Sequence, residues 1–148
     1  MSNLIKKINY LEFTIDHPEK KNSQITILED LFKYESKFFS TGKIVAKEYE
    51  KINPEKLQDL MHSLNRITFQ NWQKKYTSYK NPKPIVWNLY LQYNNNKIIA
   101  EYFGMNEFPI STKAVSPFHL RSSTSYTPEF KILLNALNKI LGKKNFFI

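Results

Sequence analysis

Twice in this chain a capping residue is followed by Pro-Glu and then by apolar residues three and four positions apart: Asn53-Pro54-Glu55 and Thr127-Pro128-Glu129. An Asn or Thr side chain accepts a free amide of the first turn, proline suits the first helical position, and a carboxylate complements the positive end of the helix dipole. After the first signal come Leu57, Leu60, Met61 and Leu64, a stripe that predicts a helix over 53–76. After the second come Phe130, Leu133, Leu134, Leu137, Ile140 and Leu141, closed by Gly142, which predicts a helix over 128–142. Two one-sided helices need an apolar surface to cover, and the rest of the chain supplies it by alternation.

Leu11, Phe13 and Ile15 alternate with Glu12, Thr14 and Asp16, as a strand with one buried face does. His17-Pro18 and the following polar run mark a turn; Ile25 and Ile27 open a second strand, Phe32 and Tyr34 continue past Glu29-Asp30, and Ser40-Thr41-Gly42 turns into the stretch from Lys43 to Tyr49. Residues 1–50 therefore read as a meander of three or four strands. Asn81-Pro82-Lys83-Pro84 forbids helix. A hairpin is expected over 85–103, with Trp87, Leu89, Leu91 and Tyr93 on one face and left-handed backbone at Asn94-Asn95-Asn96. Residues 110–127 form a polar inserted loop in this reading. The expected fold is α+β: an antiparallel sheet, made of the meander and the hairpin, with two amphipathic helices packed on it as one domain spanning 1–148.

The 148 residues suffice to bury a core without disulfides, and there is no cysteine to form one. That removes thiol nucleophiles, thiolate zinc sites and iron–sulfur clusters. His17, His62 and His119 lack a second histidine at helical ligand spacing, so no metal site is expected. The three glycines each fit a turn or cap, which leaves none for a phosphate-cradling loop and no expected cofactor. Neither a nucleophile elbow nor a motif pairing two carboxylates is present, so the chain is expected not to be an enzyme. With no apolar run of signal-peptide or membrane-span length, a cytoplasmic location is expected, with no membrane partner.

The +9 net charge is unevenly placed. Through Asp59 ten lysines face ten acids; from Leu60 onward twelve cations face three acids, and no acid lies between Asp59 and Glu101. Lys, Asn and Ile dominate the composition, as in AT-rich coding sequences, so codon usage explains part of the lysine excess. In the acid-free stretch, lysines are interleaved with aromatic residues, a combination that offers a field for phosphates and flat surfaces for stacking. The candidate binding patch is Arg66, Trp72, Lys74, Lys75, Tyr76, Tyr79, Lys80 and Lys83, joined by Lys113 and Arg121 of the inserted loop. Arginine, the usual reader of guanine edges, occurs only at Arg66 and Arg121, which disfavours sequence-specific DNA reading.

Trp87-Asn88-Leu89-Tyr90-Leu91-Gln92-Tyr93, then Gly104-Met105-Asn106-Glu107-Phe108-Pro109 and an apolar helix, resembles a module in small α+β proteins of bacteria and their mobile elements, W-x-L-x-[IL]-x-Y, a strand, G-x-N-x-[YF]-P and a helix. The resemblance covers about the last sixty residues. It implies a shared fold, in which Gly104 would supply unusual backbone geometry, Asn106 a bond within the turn and Pro109 a stop; it carries no activity or catalytic residue to this chain. In the resembling proteins the helix follows the proline almost directly, so the inserted loop is this chain's own addition.

These features point to a non-catalytic basic binding module that engages an acidic partner, either nucleic acid or a nucleic-acid-handling protein. A phage or mobile-element inhibitor of host defence, anti-CRISPR-like in size and character, is its most concrete form. One alternative is a sequence-tolerant single-stranded nucleic-acid-binding protein that stacks bases on Trp72, Tyr76 and Tyr79; another is a hydrolase whose site is assembled from distant residues. The oligomeric state is not legible in the sequence.

Overall fold

The computed structural model describes residues 4–77, 84–95, 98–105, 107–109 and 126–142. Seven strands form one sheet: β1 (Ile8–His17), β2 (Lys21–Leu28), β3 (Leu31–Phe38), β4 (Ile44–Lys51), β5 (Lys75–Thr77), β6 (Val86–Tyr93) and β7 (Ile98–Met105). Their order is β4-β3-β2-β1-β6-β7-β5. The two helices are α1 (Pro54–Asn65) and α2 (Pro128–Leu141). The fold is α+β, as expected, but the sheet is mixed: every pair is antiparallel except β5 with β7.

Local chemistry builds the hairpins. Glu29 takes a left-handed backbone (φ 54°), which closes β2 onto β3 with Leu28 opposite Leu31; β3 is thus a separate strand, not a continuation. Asn94 and Asn95 are both left-handed (φ 57° and 61°) at the β6–β7 turn. Asn94 also ties down the start of the chain, since its Oδ1 accepts the Lys6 and Lys7 amides and its Nδ2 donates to the Leu4 carbonyl.

Alternation sends one set of side chains under the helices. Leu11 lies between Ile27 and Leu91, Phe13 between Ile25 and Leu89, and Ile15 beside Trp87. All of these are essentially inaccessible to solvent. Phe130 of α2 inserts above them, its ring centroid 6.0 Å from Phe13 and 4.9 Å from Trp87. Burial of such rings is the main source of stability. Both caps form as the sequence indicates: Asn53 accepts the Glu55 amide, Thr127 accepts the Phe130 amide, and Gly142 ends α2 at φ 69°.

Two expectations are corrected here. The first helix stops at Asn65 instead of reaching residue 76, because the chain after it is captured by tertiary bonds. The Glu129 carboxylate on α2 accepts from the Thr68 amide, the Thr68 hydroxyl and the Trp72 indole N–H. A short 3-10 turn (Phe69–Asn71) follows, then β5. Gly104 does not have a positive φ; a Cβ there would lie 1.9 Å from Trp87 Nε1, so the glycine is required for space. The turn expected at His17-Pro18 is present: His17 ends β1 and its carbonyl accepts the Lys20 amide at 2.9 Å, while its side chain is only 8% exposed. Residues 110–125 of the inserted loop, and Asn106, lie outside the described residues. Tyr126, assigned to that loop, packs against Phe108 and Phe130 and shares a 2.9 Å hydrogen bond with His17 Nε2.

Candidate binding groove

Of the ten candidate patch residues, five are described. Arg66, Lys74 and Lys75 are exposed. Trp72 and Tyr76 are not the stacking platforms expected of them: they are 7% and 8% exposed and belong to the core. Trp72 packs edge-on against Phe69, Trp87 and Tyr102, with its N–H on Glu129. Tyr76 tilts against Trp87, and its hydroxyl accepts the Gln73 amide. The physical reason is that α1 ends early, so that both rings lie on the sheet side of the chain. Tyr79, Lys80, Lys83, Lys113 and Arg121 lie outside the described residues.

Lys74 and Lys75 stand at one end of a groove of about 920 Å³. One wall is the end of α1 and the 3-10 turn, with Leu64, Ile67 and Phe69; the other is β7, from Ile98 to Phe103; Leu4 and Ile5 also line it. Tyr102 anchors the two walls: its hydroxyl donates to the Phe69 carbonyl (3.2 Å) and its ring stacks on Phe69. Burial, with smaller contributions from neighbouring Tyr93 and Tyr76, pushes Tyr102 up to about 12. It therefore stays a neutral donor at physiological pH. Arg66 caps α1 and does not line the groove.

The two lysines at the groove end, Lys74 and Lys75, form no ion pair among the described residues, where the pairs are Lys7–Glu29 and Lys47–Glu50. Glu101 is the acid in the lining. The sequence pointed to the two lysines through the acid-free stretch. It did not point to Leu4, Ile5, Phe69 or the β7 edge, whose roles depend on which strands pair.

A second polar cluster lies at the far end of the helix-covered face. His17 is opposite Lys21 in the β1–β2 ladder and bonded to Tyr126, and Ser23 and Ser36 bond each other at 2.9 Å. Burial first, then the charge of Lys20, lowers the Lys21 ammonium; it sits 5.4 Å from the Phe38 ring centroid. Ring contacts and internal bonds account for this cluster as packing. His62 is exposed on α1. Among the described residues no three His, Asp or Glu side chains gather as a metal site, and no helix is long and apolar enough to cross a membrane. A comparison with known protein families finds no match for this chain, and no curated protein matches it.

Proposed function

We propose that the protein is a non-catalytic binding module that docks an acidic macromolecular partner on the groove marked by Lys74 and Lys75, and that this partner is a protein. A nucleic-acid-handling protein, inhibited by being occupied, is the form of this reading that also uses the basic character of the second half of the chain. The observation that carries it is the junction of two ammonium groups, in no ion pair among the described residues, with a largely apolar groove. Charged rims set orientation and encounter rate, while apolar lining supplies the dehydrated contact that holds a protein partner.

Direct binding of single-stranded nucleic acid is less well supported, because two of its three stacking rings, Trp72 and Tyr76, are buried. The two readings separate in one experiment. Tagged protein and a Lys74→Glu/Lys75→Glu variant are used as bait in lysate with and without nuclease, and bound proteins are identified by mass spectrometry. A protein retained after nuclease and lost with the variant supports the reading. Capture that disappears with nuclease, together with salt-sensitive binding of a labelled oligonucleotide, would replace it with the nucleic-acid reading.

A further inference from the structure

The β7 edge of the sheet is half closed. β5 pairs only with Phe103, Gly104 and Met105, leaving the lane beside Ile98–Tyr102 without a partner strand among the described residues. The Phe103 amide donates to the Lys74 carbonyl, so Phe103 points its backbone polar groups to the β5 side. Direction alternates along a strand, hence Ile99 and Glu101 aim their N–H and C=O groups into the open lane. Four backbone groups thus face the groove.

The opposite edge of the sheet exposes Ile44 (55%) at its start but is charged along its second half. Strand β4 carries Lys47, Glu48, Glu50 and Lys51, with Lys47 paired to Glu50, the charged dressing that keeps an exposed edge from recruiting another chain. Along the open part of β7 stand Ile98, Ile99 and Ala100 with a single charged residue, Glu101, and Ile99 is 56% exposed. Edges left this way serve as templates for strand addition.

We propose that this lane receives the carboxyl-terminal segment of a partner protein as an added strand parallel to β7, with its terminal carboxylate against Lys74 and Lys75. The proposal rests on the docking reading above and specifies what docks. For a guest that ends in the lane, direction follows from the charge at its closed end. The lane is five residues long, roughly 17 Å at strand rise. At Phe103 it is blocked by β5, whose entry carries the two lysines, so a guest must end or leave there. A parallel guest ends there with a carboxylate; an antiparallel one would begin there and bring a cationic amino terminus to two ammonium groups. Side chains on the helix side of such a strand face Leu64, Ile67 and Tyr102, which favours apolar residues at alternate positions.

The test displays random octapeptides with free carboxyl termini and selects on the intact protein. Enriched peptides are expected to carry alternating apolar residues and to bind at least about tenfold more weakly as carboxyl-terminal amides. Their binding should fall by a similar factor in Lys74→Glu/Lys75→Glu and in Glu101→Pro, which removes an N–H facing the lane and no bond to β6. Because proline can disturb folding, hydrogen exchange on the unmutated protein is the second readout: the Ile99 and Glu101 amides should gain protection when peptide binds. No enrichment, equal affinity of acid and amide, or unprotected Ile99 and Glu101 amides would overturn the proposal. So would concentration-dependent dimerisation abolished by Glu101→Pro, which would put a second copy in the lane. If the selection fails while lysate capture still depends on Lys74 and Lys75, the docking reading stands and the added strand falls.

Discussion

The indole of Trp87 fills the space that a side chain at position 104 would need: a Cβ on Gly104 would sit 1.9 Å from Nε1 and 2.2 Å from Cε2 of the ring. The indole is fully buried and held in place, since its N–H donates to the Glu107 carbonyl at 2.8 Å and Phe130 packs on its face. This contact spans the β6–β7 ladder beneath α2, where neither backbone nor ring has room to retreat.

Gly104→Ala is therefore expected to destabilise the fold by roughly 3 kcal/mol, the upper part of the range for overpacked cores. Urea denaturation measures it. In a double-mutant cycle with Trp87→Leu, the cost of the alanine should shrink, because the leucine vacates the colliding volume. An undiminished cost would assign the effect to the backbone instead.

Glu129 holds the chain that leaves α1. Its carboxylate accepts from three donors on Thr68 and Trp72 while being only 8% exposed. Glu129→Ala strands the buried indole N–H and the Thr68 amide, and should cost about 3 kcal/mol. Trp72 fluorescence should shift to longer wavelength as the ring loses its anchor. Thr68→Val, which removes one donor and keeps the shape, should cost roughly 1 kcal/mol by the same measurement.

Tyr102 gives a pH dependence of known sign. Burial raises its folded-state value from 10.0 to about 12, so the unfolded chain loses this proton first as pH rises. Its contribution to stability is full below pH 10 and is lost between 10 and about 12. Tyr102→Phe removes the bond to the Phe69 carbonyl and should be less stable than the parent at pH 8 by about 1 kcal/mol. The difference between the two should narrow as urea midpoints are taken at successively higher pH above 10.0. A constant gap would show that Tyr102 ionises as freely in the fold as out of it.

Lys74 and Lys75 are exposed and make no ion pair among the described residues, so their loss should leave the fold untouched. Lys74→Glu/Lys75→Glu is expected to keep its thermal midpoint, with a stability change within about 0.5 kcal/mol. Partner capture should be lost. A variant that unfolds with them would mean that the two residues serve the structure, and the groove would lose its marker.

What the amino-acid order determined by itself is the part of the fold written in neighbouring residues. The caps at Asn53 and Thr127, the stripe of α2, the stop at Gly142, the β6–β7 turn and the alternation of β1 each depend on contacts within a few positions, and each is present. The end of α1 is different: no local stop follows the stripe that predicts helix over 53–76, and it took Glu129, more than fifty residues later, to bend the chain out of helix. The same bend turned Trp72 and Tyr76 inward, made β5 a short parallel strand and left the β7 edge half open beside Lys74 and Lys75. Charge placement was legible because it is a property of residues. The groove was not, because a surface exists only after distant strands have chosen their neighbours, and that choice minimises a free energy of the whole chain.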